Sequence, residues 1–355
     1  LRLKQKLMHL SLPLNLVNFL GAGATEHFVP EWVSQQLLRA EWYTSYTPYQ
    51  PELSQGTLQA IFEFQSMVAS LFGLNVANAS LYDGATALVE AVLMATRLTG
   101  KKTVLIASSI HPEYRETLRT YLSYTHIKLK ELSFNNDGTV DQNELLTLAK
   151  EFGKDLAAIA LSSPNFFGVI DAVKPCATIA HEHNALLIAL TTDMSSCALL
   201  KSFGHDGADI AVGEGLSFLP GINCGGPGVG LMAAKKEFVR QMPGRLVGLT
   251  RDAHKNPCYV LTLSGREQHI RREKATSNIC TNHNLMALAF AMSMAAYGRS
   301  GLKRLSLINL KKTLYFRQCL HHLGMNIAFF APHYNETVIN FGSEELLDKR
   351  LKQAR

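Results

Sequence analysis

Residues Gly207 to Ala233 read GADIAVGEGLSFLPGINCGGPGVGLMA. The stretch opens on a short apolar run, Ala208 to Val212, continues as a glycine-rich loop, and closes on a second run, Val229 to Ala233. Short apolar runs bounded by glycine and proline read as strands buried on both faces. In doubly wound α/β proteins the loops leaving the carboxyl ends of such strands build the ligand site. This loop has the glycines for close backbone approach and no lysine.

The preceding chain alternates. Thr103 to Ala107, Ile127 to Leu132, Ala157 to Leu161 and Leu186 to Leu190 predict strands, the last delivering Thr191, Thr192 and Asp193 at its carboxyl end. Between them, Pro112 to Leu122 behind His111, a helix capped by Asp141 and running to Glu151, and Val173 to His183 predict helices. Such alternation implies a mainly parallel sheet covered on both faces. Earlier, Leu58, Ile61, Phe62, Met67, Val68, Leu71 and Phe72 keep helical spacing until Gly73. Asp83 is an N-cap candidate for a helix that starts Gly84-Ala85-Thr86 and runs through Leu98. Small residues there leave N–H groups open to an anion, which the helix dipole favours. Taken alone, a plain capped helix explains the same residues.

After Lys235 we expect a helix, a loop containing MPGRLVG (Met242 to Gly248), and a charged helix over Arg266 to Thr276. A buried helix (Asn284 to Tyr297), an amphipathic one (Gly301 to Leu323) and two strands (Asn326 to Phe330, Thr337 to Phe341) follow. The expected division is an N-terminal arm and interface loop over 1–55, a large α/β domain over 56–280, and a smaller, incomplete α+β domain over 281–355.

The 355 residues exceed one small core at about 150 residues per domain. With 47% apolar and 18% charged residues, the composition is that of a soluble globular chain. The longest apolar run, Leu285 to Tyr297, is shorter than the ~20 residues a membrane span needs. Six dispersed cysteines without a CxxC pair indicate a reducing, cytoplasmic setting. The basic N-terminal segment Leu1 to Asn15 is broken by Pro13 and carries no targeting claim. The net charge of +6 collects in Arg271-Arg272, Lys303-Arg304, Lys311-Lys312 and Lys349 to Arg355. These are solvated helix faces or a docking surface for an acidic partner. No aromatic-plus-basic platform points to nucleic acid.

Two motifs are set aside. GGPGVG (Gly225 to Gly230) precedes a strand-like segment where a dinucleotide loop must open a helix. His181 and His183 form an HxH without further ligands at suitable spacing, and read as surface histidines. Asp193 is different, because a carboxylate at the end of a buried strand must be paired or hydrogen-bonded. In pyridoxal phosphate (PLP) enzymes of the aminotransferase fold such an Asp partners the pyridinium nitrogen. The Schiff-base lysine would then fall near Ser217; Lys201 precedes the strand and Lys235 follows the next one. Without an amine at that place no internal Schiff base forms. Glu41 to Gln59, EWYTSYTPYQPELSQGTLQ, is a loop rich in aromatic and hydroxyl groups. It is either a binding loop or an arm that packs on a partner subunit.

Several long segments carry a resemblance: FLGAGA (Phe19 to Ala24), YTPYQPELSQGTLQAIFEFQ (Tyr46 to Gln65), VANASLYDGATALVEA (Val76 to Ala91), HPEYR (His111 to Arg115), GADIAVGEG (Gly207 to Gly215), MPGRLVG, and LSGREQHIRREKATSNICTN (Leu263 to Asn282). The chain resembles the alpha subunits of glycine dehydrogenase (decarboxylating), the P-protein family of the glycine cleavage system. Leu216 departs from the family's GEGQS sequence. The resemblance implies a PLP-dependent transferase-like fold (aminotransferase fold type I). It also implies an assembly of two alpha and two beta subunits, with the PLP-bearing lysine on the beta subunit. That assembly decarboxylates glycine and passes the aminomethyl group to the lipoyl arm of H-protein. By the same resemblance, Gly84, Ala85, Thr86, His111, Asp193 and Ser217 mark a relic cofactor pocket. Tyr43, Tyr46, Thr47, Tyr49 and Gln50 are then the residues expected to reach a partner's active site. The alternative is a non-catalytic scaffold that stabilises the beta subunit and docks H-protein.

Overall fold

The computed structural model describes residues 19, 21–23, 25–221 and 226–353. The segment Leu1 to Asn15, Asn18, Ala24, Cys224, the first glycine of GGPGVG and the side chains of the basic tail from Lys349 onward lie outside the described residues.

Continuous apolar runs set the core. Strands β1 (Val76–Ala77), β2 (Thr103–Ala107), β3 (Lys128–Leu132), β4 (Leu156–Ser162), β5 (Leu186–Thr191), β6 (Ile210–Glu214) and β7 (Gly230–Ala234) form one seven-stranded sheet in the order β1-β7-β6-β5-β4-β2-β3. β2 to β6 run parallel, while β7 runs antiparallel to β6 and to β1. β2, β4 and β7 are buried along their whole length, as strands covered on both faces must be. The edge strand β3 is mostly exposed, which its KLKEL sequence tolerates.

The helices are α1 (Glu31–Leu37), α2 (Ala40–Tyr43), α3 (Gln55–Phe72), α4 (Gly84–Thr99), α5 (Pro112–Leu122), α6 (Gln142–Phe152), α7 (Val173–Glu182), α8 (Gln268–Arg271), α9 (Asn284–His322) and α10 (Glu344–Gln353). Their ends follow local chemistry. Asp83 caps α4 in a reciprocal box with Thr86, and Asp141 caps α6. Gly73 ends α3 in the left-handed conformation, φ 67°. The two helices expected from 284 to 323 abut as α9, and Gly298 (φ 57°, ψ −179°) separates them. The two expected terminal strands shrink to Asn326–Ile327 (β10) and Ile339–Asn340 (β11).

Two expectations fail. The loop assigned to MPGRLVG enters a hairpin of β8 (Leu246–Arg251) and β9 (Pro257–Thr262), turned by Asp252, whose Oδ1 accepts from His254 N and Asn256 N, both at 2.8 Å. Two glutamines of α3 hold the hairpin as a strand would. Gln65 exchanges bonds with Val247 N and O (2.9 and 3.0 Å), and Gln55 with Tyr259 N and O (2.9 and 2.8 Å). The charged helix over 266–276 breaks into short turns, and Arg272 takes φ 52°. Two of its charges turn inward while residues 271–274 stay exposed: Arg266 Nη2 donates to Gly244 O at 2.9 Å, and buried Glu267 sits 3.7 Å from Arg245 Nε.

Candidate functional site

Three segments converge at the carboxyl end of β6. β6 delivers Glu214 and turns through Gly215 into the short 3₁₀ turn Leu216–Phe218, which carries Ser217. β7 runs antiparallel, so its start, Gly230, returns to Glu214. Gly230 in turn bridges Leu81, just ahead of Asp83 and α4. At the meeting point the Glu214 carboxylate accepts from Gly84 N (2.9 Å), Leu216 N (3.0 Å) and Val229 N (3.0 Å). Close approach explains two glycines. A Cβ on Gly84 would lie 2.5 Å from Tyr114 Oη and 3.0 Å from Glu214 Cβ, and one on Gly228 would lie 2.8 Å from Glu214 Oε2. Desolvation pushes the Glu214 carboxyl up to about 7, against the pull of its N–H donors.

Asp193 and Ser217 line a neighbouring cavity of about 430 Å³ with His27, Lys312, Asn335 and Glu336. Asp193 Oδ1 accepts from Ser195 N (2.9 Å), and Oδ2 accepts from Asn335 Nδ2 (2.5 Å). Burial lowers the His27 pKa and raises that of Glu336. Ser217 Oγ and His27 Nε2 have no hydrogen-bond partner among the described residues. His111 caps α5, with Nδ1 accepting from Glu113 N (3.2 Å). Its Nε2 lies 3.1 Å from Ala22 O, and its ring meets Phe166 edge-on at 4.8 Å.

The six expected pocket residues are therefore divided. Asp193 and Ser217 share the cavity, and Gly84 faces Glu214. Thr86 is spent on its own cap, its N–H 2.7 Å from Asp83 Oδ1. Ala85 and His111 are not among the cavity's lining residues.

The tyrosine-rich stretch forms a different surface. Tyr43, Tyr46 and Tyr49 are 66, 69 and 47% exposed. Tyr46 and Thr47 line a groove of about 280 Å³ with Pro227 and Thr281 to Met286. Tyr46 Oη lies 3.2 Å from Thr281 Oγ1. Tyr49 Oη accepts from Arg245 Nη2 at 3.0 Å, and the same guanidinium sits 5.3 Å from the Tyr49 ring centroid. Thr47 O accepts from Tyr49 N (2.8 Å) and Gln50 O from Leu53 N (3.2 Å), so these two residues shape the loop backbone.

The remaining lysine question has a geometric answer. Lys235 Nζ lies 2.5 Å from Asp209 Oδ1, and His181 Nε2 2.8 Å from Asp209 Oδ2. Asp209 precedes β6 and Lys235 follows β7, so this pair sits at the opposite end of the sheet from Ser217, about 16 Å away over five residues. His181 is a surface histidine, as expected, that also bonds the buried Asp209 carboxylate.

The helix start that would hold a phosphate is filled by a carboxylate, and a hydroxyl, Ser217, follows β6. Sequence reasoning overlooked Glu214. The signal was present, since a carboxylate ending a buried strand needs partners by the argument already applied to Asp193. Arg245, Asn335 and Glu336 had no comparable local signal.

The family profile of the glycine cleavage system P-protein matches residues 5–355. The chain is 50% identical over 323 residues to the probable glycine dehydrogenase (decarboxylating) subunit 1 of Desulfitobacterium hafniense, covering 91% of this chain and 71% of the relative. It is 50% identical over 325 residues to the protein of the same name from Moorella thermoacetica, covering 91% and 72%. A crystal structure of glycine decarboxylase (P-protein) of the glycine cleavage system, in inhibitor-bound form, matches with TM-score 0.87 at 43% identity, over 94% of this chain and 74% of that one. A sphingosine-1-phosphate lyase of Burkholderia pseudomallei, 14% identical with TM-score 0.65 over 93% and 76%, shares the fold alone. The α/β fold is that of the PLP-dependent fold type I enzymes, and the chain belongs to the glycine cleavage system P-protein family.

Proposed function

We propose that this chain is the alpha subunit of a glycine decarboxylase and works by completing the active site of a PLP-bearing beta subunit. The carrying observation is the turn after β6, where a hydroxyl, Ser217, stands at the place for which the resemblance calls for an amine. In the assembled enzyme, two alpha and two beta subunits, the partner's PLP supplies the electron sink for decarboxylation. This chain's tyrosine-rich loop then supplies surface. Tyr43, Tyr46, Tyr49 and Gln50 are exposed and Thr47 half-buried, with Arg245 holding Tyr49 and Thr281 meeting Tyr46. Such a loop orients the amino acid and excludes water at a shared site. The aminomethyl group goes to lipoylated H-protein, and the setting is cytoplasmic. No helix among the described residues is long and apolar enough to cross a membrane.

Glycine–carbon dioxide exchange by the beta subunit, with and without this chain, tests the reading. A site-completing subunit raises the turnover of intact beta subunits and loses that effect with Tyr46→Phe plus Tyr49→Phe while assembly persists. A scaffold keeps full turnover with both changes.

One observation favours a second reading. Lys312 of α9 lines the Asp193 cavity. A self-sufficient enzyme would use it, and glycine turnover by the isolated chain, lost in Lys312→Ala, would be its signature.

A further inference from the structure

We propose that Glu214 is a built-in occupant: its carboxyl group takes the place at the start of α4 that a ligand phosphate would take, closing this chain to phosphate-bearing ligands there. The donor set is that of an anion site. Three backbone N–H groups from three separate segments meet on one carboxylate, Gly84 on Oε2 and both Leu216 and Val229 on Oε1. One of them opens a sixteen-residue helix, whose dipole favours negative charge. The glycines on either side leave no other room. A Cβ at Gly84 or Gly228 would already be in contact with Glu214 or Tyr114. Asp83 takes the Thr86 N–H, so the first turn of α4 gives another of its donors to a side chain of this chain.

The tether decides the competition. Glu214 ends β6, so its carboxylate is delivered at a fixed position without the entropy loss of binding a free ion. A dissolved phosphate must displace it and meet the nearby carboxylate of Asp83, the N-cap of the same helix. Filling the cradle also braces the neighbouring wall. Gly228 O accepts from or faces His283 Nδ1 at 2.8 Å, and Pro227 beside it lines the Tyr46 groove. The carboxylate thus links the closed end of the sheet to the groove proposed as the shared surface. The inference concerns this chain alone, so its failure leaves the partner-completing reading standing, and the reverse.

The test uses the full chain and inorganic phosphate. Thermal melting and ³¹P line broadening are followed during phosphate titration at constant ionic strength, for wild type and Glu214→Ala. Wild type shows no saturable response. Glu214→Ala melts lower, regains stability with millimolar phosphate or formate, and binds phosphate at least about tenfold tighter than wild type. If Glu214→Ala accumulates folded only when formate or phosphate is supplied, the cradle's demand for an anion is confirmed in another form. The proposal is overturned by saturable phosphate binding to wild type that Glu214→Ala does not strengthen. It is equally overturned if folded Glu214→Ala ignores both anions, or if Glu214→Ala and Glu214→Ser stay unfolded with either anion present.

Discussion

The carboxyl end of β6 and the tyrosine-rich loop carry opposite kinds of chemistry. At β6 the chain turns its polar groups on itself: Glu214 answers three N–H donors, and Asp193 answers Ser195 and Asn335. At the loop it turns apolar surface outward. Tyr43, Tyr46, Leu38 and Leu53 are all more than 60% exposed, and Arg245 holds the Tyr49 hydroxyl from below. A helix start satisfied internally has little left to offer a ligand, whereas exposed aromatics on a rigid base are what an interface recruits. One region satisfies its polar groups within the chain, and the other presents its aromatic groups to solvent.

The largest effect is expected at the brace beneath the tyrosine-rich loop. Arg245 is almost fully buried among Tyr49, Asn282 and Glu267. Arg245→Ala leaves the Glu267 carboxylate buried without its cation and costs about 3–5 kcal/mol in denaturant unfolding. It also frees the tyrosine loop, which limited proteolysis within residues 43–53 detects. A loop that stays protected would show that Tyr49 is held by something other than Arg245.

Next is the pH dependence contributed by Glu214, beside those of Asp171 and Glu336, whose carboxyls burial also raises. The folded pKa of Glu214 is raised to about 7 from 4.5. Its contribution to stability is therefore fully present below about 4.5 and is lost as pH rises through 7. The loss is about 3 kcal/mol at 1.36 kcal/mol per unit. Glu214→Gln removes this slope, read as the unfolding free energy between pH 4.5 and 8. An unchanged slope would assign the titration elsewhere.

Asp83→Ala removes the capping box of α4 and costs about 1 kcal/mol in the same measurement. The smallest effect on stability is expected outside. Tyr46→Phe gives up one exposed contact with Thr281, worth under ~1 kcal/mol, yet lowers turnover in the reconstituted complex. A drop in stability with unchanged turnover would reverse the contrast between the two regions.

Much of this was legible before the structure. β2 and α5 begin and end where the sequence places them, because a fully apolar run and a Pro112 start are local signals. Ser217 and Asp193 come together in one cavity because strand ends fix what projects from them. The β8–β9 hairpin was not found. Its turn, Asp252 to Asn256, contains no glycine, and its hold on the core comes from Gln55 and Gln65, nearly two hundred residues away. The helix expected over 266–276 failed for the same reason. Arg266 and Glu267 are drawn into tertiary contacts that outweigh local propensity. Glu214 was readable but overshadowed by the glycines around it.

The central claim is that this chain holds no cofactor of its own. The direct measurement is borohydride reduction of the purified chain with excess PLP, followed by peptide mass mapping. We expect no stoichiometric pyridoxyl adduct on any lysine, and an adduct only on the beta subunit once the complex is assembled. A stoichiometric adduct on this chain, at Lys312 above all, would contradict the account.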